Sequence, residues 1–264
     1  MTPTADATIA ALRATHDELA EVVRNLTDQQ LLAHSGALEW TVAHVLSHLG
    51  SGAEIGRATL RAAMEGGDGL PDGFNQSVWD RWNAMSPREQ ADGFLASDAE
   101  LVSVFEGLSS GRRVSLQVNV GFLPMPLPLS SYAGMRLNEA AAHSWDVRVA
   151  FDKAAAIDEG TARLVVDHFA SGLGFLLGFT GKADQVAEPA RVALGDLDRV
   201  LTITDSVALV PRGADSDITA TFVGSADAVA RLLSGRLTAR HTPESVAVTG
   251  NVTLDELRRV FPGY

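Results

Sequence analysis

Apolar residues recur at helical spacing through most of the first 150 positions and alternate with polar ones after about residue 185. Residues 5–25 place Ile9, Leu12, Leu19 and Val22 or Val23 near helical period and predict an amphipathic helix, with His16 as a boundary residue among them. After a loop at His34–Gly36, Thr41 is placed to cap a second helix that runs to about Glu65, where GGDG stops it. A short helix follows around Trp79 and Trp82. Ser86-Pro87-Arg88-Glu89 is a capping-box pattern with Pro at the first helical position, opening a helix to about Leu108. Residues 109–130 are less regular. VSLQVNV alternates like a strand, and the three prolines of FLPMPLPL force an extended segment. RLNEAAAHSWDVRVA, residues 136–150, is Ala-rich, free of Gly and Pro, and predicts another helix.

Four principal helices before residue 150 point to a helix bundle. A fifth helix is expected over about Glu159–Phe179, carrying a structural His168. Beyond it, RVALGD, RVLTITDSVALVPRG, DITATFVG and SVAVTGN read as strands, with a compact helix at SADAVARLLSGR, capped by Ser225 and stopped by Gly235, and a final helix at TLDELRRVFPGY. The expected organisation is therefore α+β: a four-helix bundle over residues 1–180 and a smaller α/β domain over 185–264.

Candidate chemistry gathers on two bundle helices. Glu139 and His143 are four apart and share one face with Met135 and Val147. Titratable groups on a packing face are costly unless paired or bound. A Glu–His hydrogen bond or a metal ion would meet that cost. On the second helix, His48 shares a face with Val45, Leu49, Ile55 and Gly52, and points inward more convincingly than His44. Two His and one carboxylate form a ligand set for a zinc site with an open position, though no sequence rule makes these helices face each other.

Composition narrows the chemistry. The chain has 264 residues, 46% of them hydrophobic, enough for a substantial core. It has no cysteine, which excludes disulfides, thiolate metal sites and a protein-borne thiol nucleophile. A net charge of −12 disfavours nucleic acid and anionic membranes as partners. The N-terminus lacks the basic and apolar regions of a signal peptide, and no stretch is apolar for long enough to span a bilayer. A cytoplasmic protein acting on small molecules, as monomer or homodimer, is the expectation.

EWTVAHVLSHL, PLSSYAGMRLNEAAAHSWDVRVA and the tail GSADAVARLLSGR…VAVTGN…FPG together resemble the mycothiol-dependent maleylpyruvate isomerase family. The resemblance implies a DinB-like N-terminal bundle and a sterol-carrier-like C-terminal domain. Its metal ligands fall on His48, Glu139 and His143, the three residues that the helix faces select. His44 stands where such proteins often carry an acidic residue and is not carried over. The resemblance also implies a catalytic arginine from the C-terminal domain, best placed at Arg236, whose side chain should project freely from a turn after Gly235. Arg136 and Asp146 match the wider motif. Helix packing or support of the ligands is the plainer role for both, and a cofactor-binding role is kept for Arg136.

The activity so implied is zinc- and mycothiol-dependent. A metal-bound thiolate adds to an electrophilic substrate, giving cis–trans isomerisation of a maleylpyruvate-like enoyl acid or S-transfer. The alternatives are a DinB-like metalloenzyme using another nucleophile, such as water, and a non-catalytic small-ligand-binding protein.

Overall fold

The computed structural model describes residues 3–37, 39–213 and 217–263. Thr4, Thr41 and Ser86 each accept a hydrogen bond from a first-turn backbone N–H and so open helices α1 (Ala5–Arg24), α2 (Val42–Met64) and α3 (Pro87–Glu106). Helix α4 (Leu129–Arg148) begins directly after Pro128, seven residues before the expected start. Pro fixes its own φ and needs no N–H partner, so it can end the extended segment and let the helix start at once. Helices α2 and α3 pack on each other, α1 packs on α3 and α4, and α2 meets α4. These contacts close the predicted bundle. A short helix at Phe74–Asn83 lies on α2 and seats Trp82 against Gly50, where a methyl group would overlap the indole ring.

The strand expected at VSLQVNV is mostly a different structure. Ser110–Ser115 forms one short helix capped by Ser109, leaving Val114 exposed. Only Gln117–Val118 is extended, paired antiparallel with Leu127–Pro128. Alternation predicts a strand only where one face is buried, and Val114 has nothing to pack against.

The chain divides into two compact units, Thr4–Ala155 and Ala156–Tyr264. This corrects the expected boundary at residues 180–185. The predicted fifth helix belongs to the second unit, and it is two helices: α5 (Glu159–Phe169) and α6 (Gly174–Thr180), bent by 83°. Gly172 lies within the break and Gly174 opens α6; glycine weakens helix through its backbone freedom. Helix α5 packs on α7 (Ala226–Leu233). Asp227 of α7 accepts a hydrogen bond from the Ile157 N–H at 2.8 Å and forms a buried two-pronged pair with Arg231, 2.9 and 2.7 Å. The second unit thus grips the chain at its first residues.

The five-stranded sheet contains β1 (Ala190–Leu194), β2 (Arg199–Ile203), β3 (Val207–Pro211), β4 (Ala220–Val223) and β5 (Ala247–Gly250), in the order β3-β2-β1-β4-β5. Only β1 and β4 are parallel, with Val192 opposite Ala220. A last helix, α8 (Leu254–Val260), follows β5. Among the described residues, no single helix is long and apolar enough to cross a membrane.

His168 on α5 is completely buried, and burial pushes its imidazole pKa down to about 4. Its neutral form is the native one, so the unfolded chain binds the extra proton. Stability is therefore complete above about pH 6.5 and falls toward pH 4, by about 1.4 kcal/mol per unit in that window. Denaturant melts of wild type and His168→Gln from pH 7.5 to 4.5 check this. The wild type should lose the more stability across the window, and equal slopes would exclude His168 as the cause.

Candidate metal centre

His48 is carried inward by α2 and Glu139 and His143 by α4, so the α2–α4 contact sets their meeting. His48 Nε2 lies 3.0 Å from Glu139 Oε2, and His143 Nε2 lies 3.6 Å from the same oxygen. One ligand atom from each residue falls within 4.8 Å of the other two, a group that could hold a metal ion. The three residues of the sequence reading are brought together. His44 is not among them: it is exposed, and its Nδ1 faces the Thr41 N–H at 3.5 Å as part of the helix cap.

Around these residues lies a supporting layer. Asp146 is fully buried and accepts from His143 Nδ1 at 2.8 Å. That contact orients the ring so that Nε2 faces Glu139. The Gly36 N–H donates to the Asp146 carbonyl at 2.7 Å, and a Cβ on Gly36 would crowd Val149 and Asp146. Only glycine lets the loop before α2 approach α4 so closely. Ser35 then fixes that loop, its N–H and Oγ both bonding the Trp40 carbonyl at 3.0 and 2.9 Å. The Trp40 indole stacks on His143 at 5.8 Å between ring centres and lies tilted over His48 at 5.2 Å. Trp40 was not singled out from the sequence, because a Trp at a loop end has no periodic signature.

His48 and Glu139 also line a cavity of about 740 Å³. All its lining residues belong to the first unit. Ile55, Leu101, Phe105, Tyr132 and Phe122 supply apolar wall, and Arg136 lies in the wall beside Glu139. Its volume falls in the usual range for small-molecule sites.

Arg136 is held by a network that the sequence reading missed. Its Nη2 donates to Asp98 at 2.6 Å and to the Leu49 carbonyl at 2.9 Å. Asp98 faces His16 Nδ1 at 2.7 Å. His16 and Asp98 are both buried, so His16 is an interior residue and not the boundary residue expected. Burial by itself would raise the Asp98 carboxyl pKa, but the Arg136 charge and the hydrogen bonds from His16 and Arg136 outweigh it and hold the group below its ordinary value. A signal did exist: Asp98 sits between Phe94, Leu101 and Phe105 on the buried stripe of α3. A carboxylate there requires a partner.

Residues 12–148 match the family model described as the mycothiol maleylpyruvate isomerase N-terminal domain. The chain belongs to that family. The chain also resembles two solved structures, a mycothiol-dependent maleylpyruvate isomerase and a histidine-to-alanine mutant of it. Each gives a TM-score of 0.63 at 17% identity, over 95% of both chains. At that identity the likeness is one of fold. No curated protein matches in sequence. The family segment contains His48, Glu139, His143, Asp146 and Arg136, and ends well before Arg236.

Arg236 lies in the second unit, and the free projection expected of it is not found. Gly235 adopts φ +73° and turns the chain back, so that the Arg236 N–H bonds the Arg231 carbonyl at 2.6 Å. The side chain is buried, and its Nη1 donates to the Ser234 carbonyl at 2.7 Å. The left-handed glycine folds the arginine under its own helix end.

Proposed function

We propose that this member of the mycothiol maleylpyruvate isomerase family is a metal- and mycothiol-dependent enzyme acting on an electron-poor double bond. The observation that carries the reading is the His48–Glu139–His143 cluster at the wall of the 740 Å³ cavity. The donor set fits a zinc-class ion: two imidazoles and one carboxylate, with His143 already oriented by Asp146. Such an ion, when held there, supplies the Lewis acidity that lowers a thiol pKa toward neutrality. With no cysteine in the chain, the thiol must come from outside.

The chain's own residues divide the work. His48, Glu139 and His143 hold the ion, and Asp146 orients the ring of His143. Trp40 covers both imidazoles on one side and limits water there. The apolar wall receives the body of the substrate. The assigned reaction is addition of the thiol to the double bond, rotation about the resulting single bond, and elimination of the thiol. An addition without elimination is S-transfer at the same site. The proposal keeps Arg136 as a ligand-binding residue of the cavity and, on resemblance alone, Arg236 as a catalytic cation for the substrate's developing negative charge.

Purified protein should contain about one divalent ion per chain and should turn over maleylpyruvate only when mycothiol is added. Thiol-independent turnover would replace the thiol by water as nucleophile. Absence of both metal and turnover would leave a binding protein. Arg236→Lys should keep its metal while turnover falls about tenfold or more, because Lys does not reproduce a bidentate donor. Unchanged turnover would remove Arg236 from the site.

A further inference from the structure

Arg136 holds its charge in an unusual way. Its side chain is nine-tenths buried, yet among the described residues only Nη2 is engaged, by Asp98 and the Leu49 carbonyl. Nε is a buried donor without a hydrogen-bond partner. A buried donor left unmade costs about 1–3 kcal/mol and calls for an explanation. The cavity wall is also cut away in front of the guanidinium. Gly52 of α2 lines the same cavity, and a Cβ there would sit 3.2 Å from Arg136 Nη1, inside normal contact distance. In the structure Gly52 leaves room beside a cationic N–H.

We propose that Arg136 is the carboxylate anchor of this cavity. The proposal rests on the reading of the cavity as the substrate site. The carboxylate meets Nη1 beside Gly52, and the body packs on Ile55, Leu101, Phe105 and Phe122. Asp98 is the positioning residue: it takes one edge of the guanidinium and holds the other toward the cavity. His16 in turn holds Asp98.

The probe is 2-naphthoate, compared with its neutral isostere 2-naphthamide, by naphthalene fluorescence or calorimetry. Wild type should prefer the carboxylate by about tenfold or more. Measurement with and without EDTA separates Arg136 from any bound metal: the preference should survive the chelator. Gly52→Ala keeps a helix-compatible backbone and fills the space before Nη1, so the preference should collapse. The double variant Arg136→Met/Asp98→Asn removes the charge without leaving its partner unpaired, and should bind both probes alike. Where that variant folds, it decides; where it does not, Gly52→Ala decides. Equal affinities in wild type, loss of the preference with EDTA, or its retention in the deciding variant would each overturn the proposal. A protein without metal or thiol-dependent turnover that still prefers naphthoate would end the enzymatic reading and leave this one standing. The converse pattern would end this one alone.

Discussion

His143→Ala is expected to remove bound metal from the protein. Among the described residues, His143 is one of three groups that could hold the ion, and its ring is the one oriented by a buried carboxylate. Two remaining ligands, both half-exposed, cannot hold a divalent ion against water and buffer. Metal content should fall from about one ion per chain to less than about one-tenth, and thiol-dependent turnover should fall with it. The substitution also leaves Asp146 without its imidazole partner, so the thermal melt must be recorded beside the metal analysis. Glu139→Gln gives an independent check. It keeps the shape of the side chain at a half-exposed position and removes only the charge. Asp146→Asn should act more mildly, lowering metal affinity about 10- to 100-fold, because it touches orientation and not ligation. Full metal retention in both His143→Ala and Glu139→Gln would move the metal site elsewhere.

Asp98→Ala should have the largest effect on stability. It strands the Arg136 guanidinium in the bundle with its counter-charge gone, and takes away the partner of His16. Breaking one side of a buried ion pair costs about 3–5 kcal/mol. For a unit of this size that lowers the melting temperature by roughly 10 °C. Asp98→Asn/Arg136→Met should recover much of the loss, since a neutral pair leaves no buried charge. The pH dependence follows from the depressed Asp98 carboxyl. Its ionised form is favoured in the fold, so its contribution is present above the ordinary carboxylate range and is lost as pH falls from that range toward the lowered value of the folded state. Wild type should therefore lose more stability in acid than the double variant. A destabilisation below about 1 kcal/mol for Asp98→Ala, measured by denaturant titration, would show that water reaches Arg136 freely and the network carries no buried charge.

Some of this was written in local sequence. Thr41 and Ser86 are caps whose partners lie three residues away, so the starts of α2 and α3 needed nothing distant. Glu139 and His143 share a face because any helix puts positions four apart together. The absence of cysteine fixed that a thiol must be external. The prediction at VSLQVNV was wrong because alternation records a burial that residues 109–116 never receive. The boundary near 180 was wrong because the period of α5 shows that it buries a face, but not in which core it does so.

Other features exist only where distant segments meet. Arg136, Asp98 and His16 come from three helices, and no spacing links them. Trp40 reaches the imidazoles because Gly36 and Ser35 pin a loop to α4. Arg236 points back under its helix because Gly235 turns left-handed. The sequence by itself determined which residues could carry metal chemistry and which helix faces they occupy, since caps and periodicity act over a few residues. Only the tertiary structure decided that His48 stands 3.0 Å from Glu139 and that a buried cation lines the same cavity. Contacts between helices depend on how whole faces pack, and no short stretch of chain holds that information.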